Sequence, residues 1–172
     1  MKTLTLVGPE STGKTTLAAE LARDFGTVWV PEASRAYAMD KAGPLTVDDV
    51  LPIARRHCRE ADAGRARARH LLVLDTDLVM TCVYSELYYG VLSAELLELT
   101  KQRLADRYLL LEPDVPWVAD PVRDMPARRE EIRDRVLEML RRVGASHAAI
   151  AGDWKARREK AAREAKALLN QG

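Results

Sequence analysis

The chain has 172 residues, and its 27 basic and 26 acidic side chains leave a formal net charge of +1. That length suits one domain, spanning residues 1–172 and burying about 70% of its unfolded surface in one core. The balance of charge gives no molecule-wide field to draw nucleic acid or anionic lipid.

The elements are expected to alternate between strand and helix. The first apolar run, Thr3 to Val7, reads as a strand. It leads straight into Gly8-Pro9-Glu10-Ser11-Thr12-Gly13-Lys14-Thr15, which fits G-x-x-x-x-G-K-[ST]. In this pattern the glycines let the main chain wrap so that successive N–H groups point at phosphate oxygens, at the positive end of the next helix. The cradle is assigned to Gly8, Glu10, Ser11, Thr12, Gly13, Lys14, Thr15 and Thr16, with Lys14 reaching the outer phosphates and the Thr15 hydroxyl on Mg²⁺. The strand before the loop and the amphipathic helix after it (Leu17, Leu21, Phe25 inward, Gly26 at its end) set this apart from an ordinary glycine turn. ATP with Mg²⁺ is the expected ligand.

A second strand, Thr27 to Val30, ends at Pro31-Glu32, and a helical stretch from Ser34 is broken at Gly43-Pro44. A long helix follows over about residues 49–67, with Val50, Ile53, Ala54, His57, Cys58 and Ala61 on one stripe. Pro52 fits only in its first turn, so Asp48 or Asp49 is the expected cap. Arginines between Arg55 and Arg69 alternate with Ala, Glu60 and Asp62, which reads as a solvated face rather than a nucleic-acid patch. Cys58 and Cys82 lack C-x-x-C spacing, so neither a zinc site nor a disulfide framework is expected, and both read as small apolar residues. With no leader and no apolar run near membrane-spanning length, the expected compartment is the reduced cytoplasm.

Leu71 to Leu74 is the third strand, ending in Asp75-Thr76-Asp77. Asp75 holds the position of the acid that binds Mg²⁺ opposite Thr15; the alternative is a helix cap. Asp77 reads equally as a cap or as a contact to a substrate hydroxyl. Helices are expected over about 77–89 and 94–106, then a fourth strand from Tyr108 to Leu111. Four prolines make residues 112–128 a loop, with Trp117, Asp120, Arg123, Arg128 and Arg129 along it. An arginine-bearing lid over about 114–129 would close on phosphates, and Arg123, flanked by prolines, is the leading candidate. A helix over about 128–142, a fifth strand from Ala148 to Ala151 and a final helix capped by Asp153 complete the chain. The final helix carries an apolar stripe of Trp154, Ala161, Ala165 and Leu168. The whole reads as an α/β fold, a doubly wound five-stranded parallel sheet of the P-loop type with functional residues just past the strand ends.

By that rule Glu32 orients or deprotonates an acceptor hydroxyl, with Arg35 balancing phosphate charge or pairing with Glu32. Gly152, Asp153, Trp154 and Arg157 lie where a base could be held, although Trp154 serves equally as core. The absence of [NT]-K-x-D removes the base-reading element of guanine switches, and the chain is short for a ring ATPase. What remains is a small-molecule kinase, with a nucleotide-dependent switch lacking any acceptor as the rival reading.

Beyond the loop itself, Trp29-Val30-Pro31-Glu32 with Arg35 and Tyr37, Asp75-Thr76-Asp77, and Val83-Tyr84-Ser85-Glu86 with Tyr89-Gly90 occur in order. They are followed by Pro113-Asp114-Val115-Pro116-Trp117-Val118, Val122-Arg123-Asp124, and Gly152-Asp153-Trp154 with Arg157. Together these segments resemble the ribosylnicotinamide kinase domain of bacterial NAD-salvage regulators, over about residues 4–158. The resemblance implies phosphorylation of nicotinamide riboside at its 5′-hydroxyl by a stand-alone kinase, without the DNA-binding and adenylyltransferase domains of those regulators. Two positions depart from the family's pattern. Ala33 replaces an aromatic residue and bears on substrate-ring contacts; Pro121 replaces a glycine and implies a stiffer lid. The riboside's cationic ring suits aromatic faces at about 0.5–2 kcal/mol each, and Tyr84, Tyr88, Tyr89 and Trp117 could line its pocket or simply pack. Another nucleoside or nucleoside monophosphate would use the same ATP half, and oligomeric state is not legible.

Overall fold

A computed structural model of the chain describes residues 1–117 and 126–171. Its strands are β1 (Lys2–Val7), β2 (Val28–Val30), β3 (Leu71–Asp75), β4 (Arg107–Leu111) and β5 (His147–Ile150). All pair in parallel in the order β2-β3-β1-β4-β5. The helices are α1 (Lys14–Asp24), α2 (Ala33–Asp40), α3 (Val50–Arg67), α4 (Leu78–Tyr89), α5 (Ala94–Gln102), α6 (Arg129–Arg142) and α7 (Trp154–Leu169).

Strand alternation sorts the core onto two faces. Leu4, Leu6, Leu71, Val73, Leu109 and Leu111 point to the side covered by α1 and α7. On the other side Tyr108 and Leu110 meet α4, α5 and α6, while Leu72 and Leu74 meet α3. Helices on both faces explain why the strands read as near-continuous apolar runs. With β1 central and its neighbours reached in opposite directions, the crevice of the sheet opens past the carboxyl end of β1. The register sets Leu6 beside Asp75, which brings the acid that ends β3 alongside the loop that leaves β1. No helix among the described residues is long and apolar enough to cross a membrane.

Three expectations need correction. Asp49 has helical backbone angles and does not cap α3 with its side chain; a 3₁₀ turn, Val47–Asp49, precedes the helix. Its carboxylate instead turns back to Thr46, accepting from the amide at 2.7 Å and the hydroxyl at 3.0 Å, and it also takes Tyr37 Oη at 3.0 Å and Lys41. α5 stops at Gln102 rather than near residue 106, because the chain must turn into β4. There Asp106 accepts the Thr3 amide at 2.7 Å and Tyr108 Oη accepts the Ala105 amide at 3.2 Å. The third correction concerns Trp154, which is 37% exposed and not core. Fully buried Arg157 takes its place in the α7 stripe with Ala161, Ala165 and Leu168.

Candidate active site

The loop between β1 and α1 has the backbone its sequence demands. Gly8 has φ +136°, and a Cβ there would lie 2.6 Å from the Leu111 carbonyl oxygen; Gly13 has φ +88°. Ser11 adopts φ +58° without being glycine, a costly conformation that clusters at ligand sites. Gly13 occupies the cap position of α1 without a side chain to cover the first amides, which leaves that helix end to an anion. Thr12 Oγ1 donates to the Pro9 carbonyl at 2.9 Å, and Lys14 Nζ donates to the carbonyls of Gly8 and Pro9 at 2.9 and 2.8 Å. Glu10, Ser11, Lys14, Thr15 and Thr16 face the adjoining cleft.

Thr15 Oγ1 donates to Asp75 Oδ2 at 2.6 Å, across 60 residues of chain. The other oxygen, Oδ1, is buried with no hydrogen-bond partner among the described residues. Burial pushes the Asp75 carboxyl above its ordinary value, against the pull of Lys14 and the Thr15 hydroxyl. A hydroxyl and a buried, half-satisfied carboxylate are hard oxygen donors of the kind Mg²⁺ takes, so Thr15 and Asp75 fit that ion. No group of three or more His, Cys, Asp or Glu able to hold a metal occurs among the described residues. Such a cation therefore needs oxygens from a bound phosphate as well.

Beside the loop lies a cleft of about 510 Å³. Glu32 and Arg35 at the start of α2 form one wall with Val50, Ile53 and His57 of α3; Met80, Thr81, Tyr84 and Tyr88 of α4 form the other. Glu32 Oε1 accepts the Ser34 hydroxyl at 2.6 Å. The rings of Tyr84 and Tyr88 stack with centroids 5.7 Å apart at 30°. Asp77 is committed to the fold: Oδ1 accepts the Val79 amide at 2.9 Å, capping α4, and Oδ2 accepts Tyr108 Oη at 2.5 Å. Burial lifts its carboxyl to about 6. Of the two roles expected for Asp77, capping is the one its geometry fills.

Arg157 does not face a ligand. It is 0% exposed, and its guanidinium donates to the carbonyls of Gly152, Thr12 and Glu112 at 2.7, 3.3 and 3.0 Å and to the Asp114 carboxylate. Asp114 in turn accepts the Gly152 amide at 2.6 Å. This side chain therefore ties together the loops leaving β1, β4 and β5 and acts on any base through the backbone it positions. Asp153 caps α7 by accepting the Ala156 amide at 2.8 Å. The Trp154 ring lies on the phosphate loop, where a Cβ on Gly13 would come within 2.6 Å of Cζ3.

On the lid side, Asp120, Pro121 and Arg123 lie outside the described residues. The arginine that reaches the loop here is Arg129, at the start of α6. It donates to the carbonyls of Val115 and Ser11 at 2.8 and 3.3 Å and sits 5.9 Å from the Trp117 ring centroid. Arg128 is taken up by Glu131 at 2.7 Å. The sequence places Arg129 among the lid arginines, Asp114 at the start of that loop and His57 on the α3 stripe, but their contacts are made with distant segments and carry no local signal.

A parallel sheet in this order, a glycine loop leaving its central strand and an acid at the end of the adjacent strand define a P-loop nucleotide-binding protein. Residues 3–157 match a family model described as AAA domain, and the chain belongs to that family. It is 32% identical over 146 residues to the trifunctional NAD biosynthesis/regulator protein NadR of Escherichia coli, and 31% identical over 147 residues to NadR of Salmonella typhimurium. These matches cover 81% and 82% of the chain but only 36% of either relative, so it spans about a third of their length. Among solved structures, NadR in complex with NAD and AMP-PNP superimposes with a TM-score of 0.82 at 22% identity, over 98% of this chain and 49% of that one. NadR in complex with NR gives 0.76 at 24%, over 98% and 52%. Thymidylate kinase from Ehrlichia chaffeensis gives 0.68 at 14%, over 98% of both chains. The fold is that of the P-loop kinases.

Proposed function

We propose that the chain is an ATP-dependent kinase that phosphorylates nicotinamide riboside at its 5′-hydroxyl to give nicotinamide mononucleotide. The observation that carries this reading is the junction of two half-sites. The phosphate loop and the Thr15–Asp75 pair open directly onto a cleft of about 510 Å³ with Glu32 on its wall. A switch without an acceptor has no use for such a chamber. The likeness to NadR over most of the chain, and the NR bound in one NadR structure, support the choice of acceptor.

The division of labour follows from placement. Lys14 and the loop amides hold the β- and γ-phosphates, and Lys14 must first leave the Gly8 and Pro9 carbonyls. Thr15 and Asp75 would hold Mg²⁺, which when bound neutralises charge on the phosphate oxygens. Glu32 accepts the acceptor's 5′-hydroxyl proton as that oxygen attacks the γ-phosphorus, while ADP departs with the bridging oxygen's electron pair. Arg129 at the loop and Arg123 of the lid supply positive charge, and Gly152 and Trp154 flank the base. If Glu32 is the base, Glu32→Gln depresses kcat more than it raises KM; steady-state kinetics against the riboside check this. The proposal itself is tested with a panel of ribosides, deoxynucleosides and nucleoside monophosphates given ATP and Mg²⁺, with mass detection of product. Nicotinamide mononucleotide as the dominant product is expected. Phosphorylation of a different acceptor alone, or ATP hydrolysis that no nucleoside stimulates, overturns it.

A further inference from the structure

The inner part of the cleft presents an unusual side chain for its surroundings. α3 ends at Arg67, just before β3 begins at Leu71, so it runs from the carboxyl-end side of the sheet towards the amino-end side. His57 lies seven residues beyond Val50, about 10 Å further along the helix and further from the phosphate loop. Val50, Ile53 and Met80 make the wall around it apolar. His57 is only 5% exposed, yet it makes no hydrogen bond with any described residue. The charged groups that bear on its ring are already engaged: Glu60 accepts from Arg56 and Asp62 accepts from Arg103, each at 2.7 Å.

The ring nitrogens of His57 are not among the fully buried atoms without partners, so they are reached from the cleft, and water or a ligand there completes them. Neutral imidazole offers one N–H donor and one acceptor nitrogen. Burial holds this one down to about 4, so it stays uncharged near neutrality and does not repel a cationic ring. Resting on the kinase reading above, we propose that His57 is a specificity-determining residue for the acceptor's ring. It hydrogen-bonds a neutral polar substituent of the carboxamide type on a heterocycle that enters between Ile53 and Met80. An acceptor lacking that substituent displaces water from the imidazole without replacing its hydrogen bond, and is discriminated against for that reason.

The test compares kcat/KM for nicotinamide riboside with that for pyridine riboside, which lacks the carboxamide, in the wild type, His57→Leu and His57→Gln. The wild type is expected to prefer the amide by tenfold or more, about the effect of one buried hydrogen bond. His57→Leu should bring the two substrates within about threefold, chiefly through KM for the amide, with KM for ATP unchanged. His57→Gln, which keeps a donor and an acceptor, should retain part of the preference. Thermal melts report folding of each variant, and His57→Phe, which keeps a ring's shape, replaces His57→Leu if that variant does not fold. A wild-type ratio in the apolar variant, or equal turnover of both ribosides by the wild type, overturns the inference alone. A wild type that phosphorylates neither riboside overturns the kinase reading, and the inference with it.

Discussion

Asp75 and Asp77 stand two residues apart, both buried and both with their carboxyls raised, yet the fold uses them in opposite ways. Asp75 keeps one oxygen without a partner among the described residues, so its charge works against folding, as expected of a group kept for a ligand. Asp75→Asn removes that charge while preserving an acceptor for Thr15. Its Tm should equal or exceed the wild type's while kcat falls by about 100-fold or more; melting curves and turnover measured side by side check both halves. Asp77 has its partners and bears on stability. With a folded-state value of about 6 against an ordinary 3.8, the native protein binds this proton more tightly than the unfolded chain does. The stabilisation is fully present below about pH 4 and is lost as pH rises towards 6, on the order of 3 kcal/mol over that interval. Asp77→Asn should abolish this part of the pH dependence. Denaturant unfolding at pH 4 and pH 6.5 measures it as a difference between the two proteins, which cancels the contribution of other carboxylates.

The elements were legible where the signal is local. The loop from Gly8 to Thr15 is contiguous, and the apolar runs of β1, β3 and β4 admit one reading once helices cover both faces. The pairing of Thr15 with Asp75 followed because the loop leaving β1 delivers Thr15, in the first turn of α1, beside the acid that ends the adjacent β3. Arg157 shows where that reasoning fails. On a helical wheel it is one more cation near the start of a charged helix. Only the meeting of the β1, β4 and β5 loops, from segments 45 and 145 residues away, makes it a buried hub. His57 reads from sequence only as one position of the α3 stripe, since the partners a side chain has, or lacks, are a tertiary property. The hub gives α7 a role beyond covering the sheet. Arg157→Met fills the volume but leaves the Thr12, Gly152 and Glu112 carbonyls and Asp114 without their donor. Asp114 is 41% exposed and keeps the Gly152 amide, so the loss comes chiefly from three carbonyls left without a donor, about 3 kcal/mol in all. For a domain of this size that lowers Tm by about 10 °C, and ATP affinity should fall with it, read by calorimetry and titration.

For the molecule as a whole, nucleotide and cation are expected to act as one ligand. Thr15 and Asp75 alone cannot complete a coordination shell, and the described residues offer no further cluster of metal donors. Magnesium without nucleotide should therefore leave the melting curve almost unmoved. ATP with magnesium at 100 times its Kd adds about 2.7 kcal/mol, or about 5–10 °C in Tm. A scanning fluorimetry matrix of the two components shows whether the shift is synergistic, and an equal shift from magnesium alone would contradict the assigned pair.

The guanidinium of Arg157 reaches the Thr12 carbonyl from 145 positions downstream. On a translating ribosome that separation is a delay on the order of ten seconds. Throughout it the loop written first has only its nearer contacts, Thr12 to Pro9, Lys14 to Gly8 and Thr15 to Asp75, and its junction with the later loops is unmade. Docking of the last helix is therefore expected to set the moment at which the nascent chain first grips nucleotide at full strength.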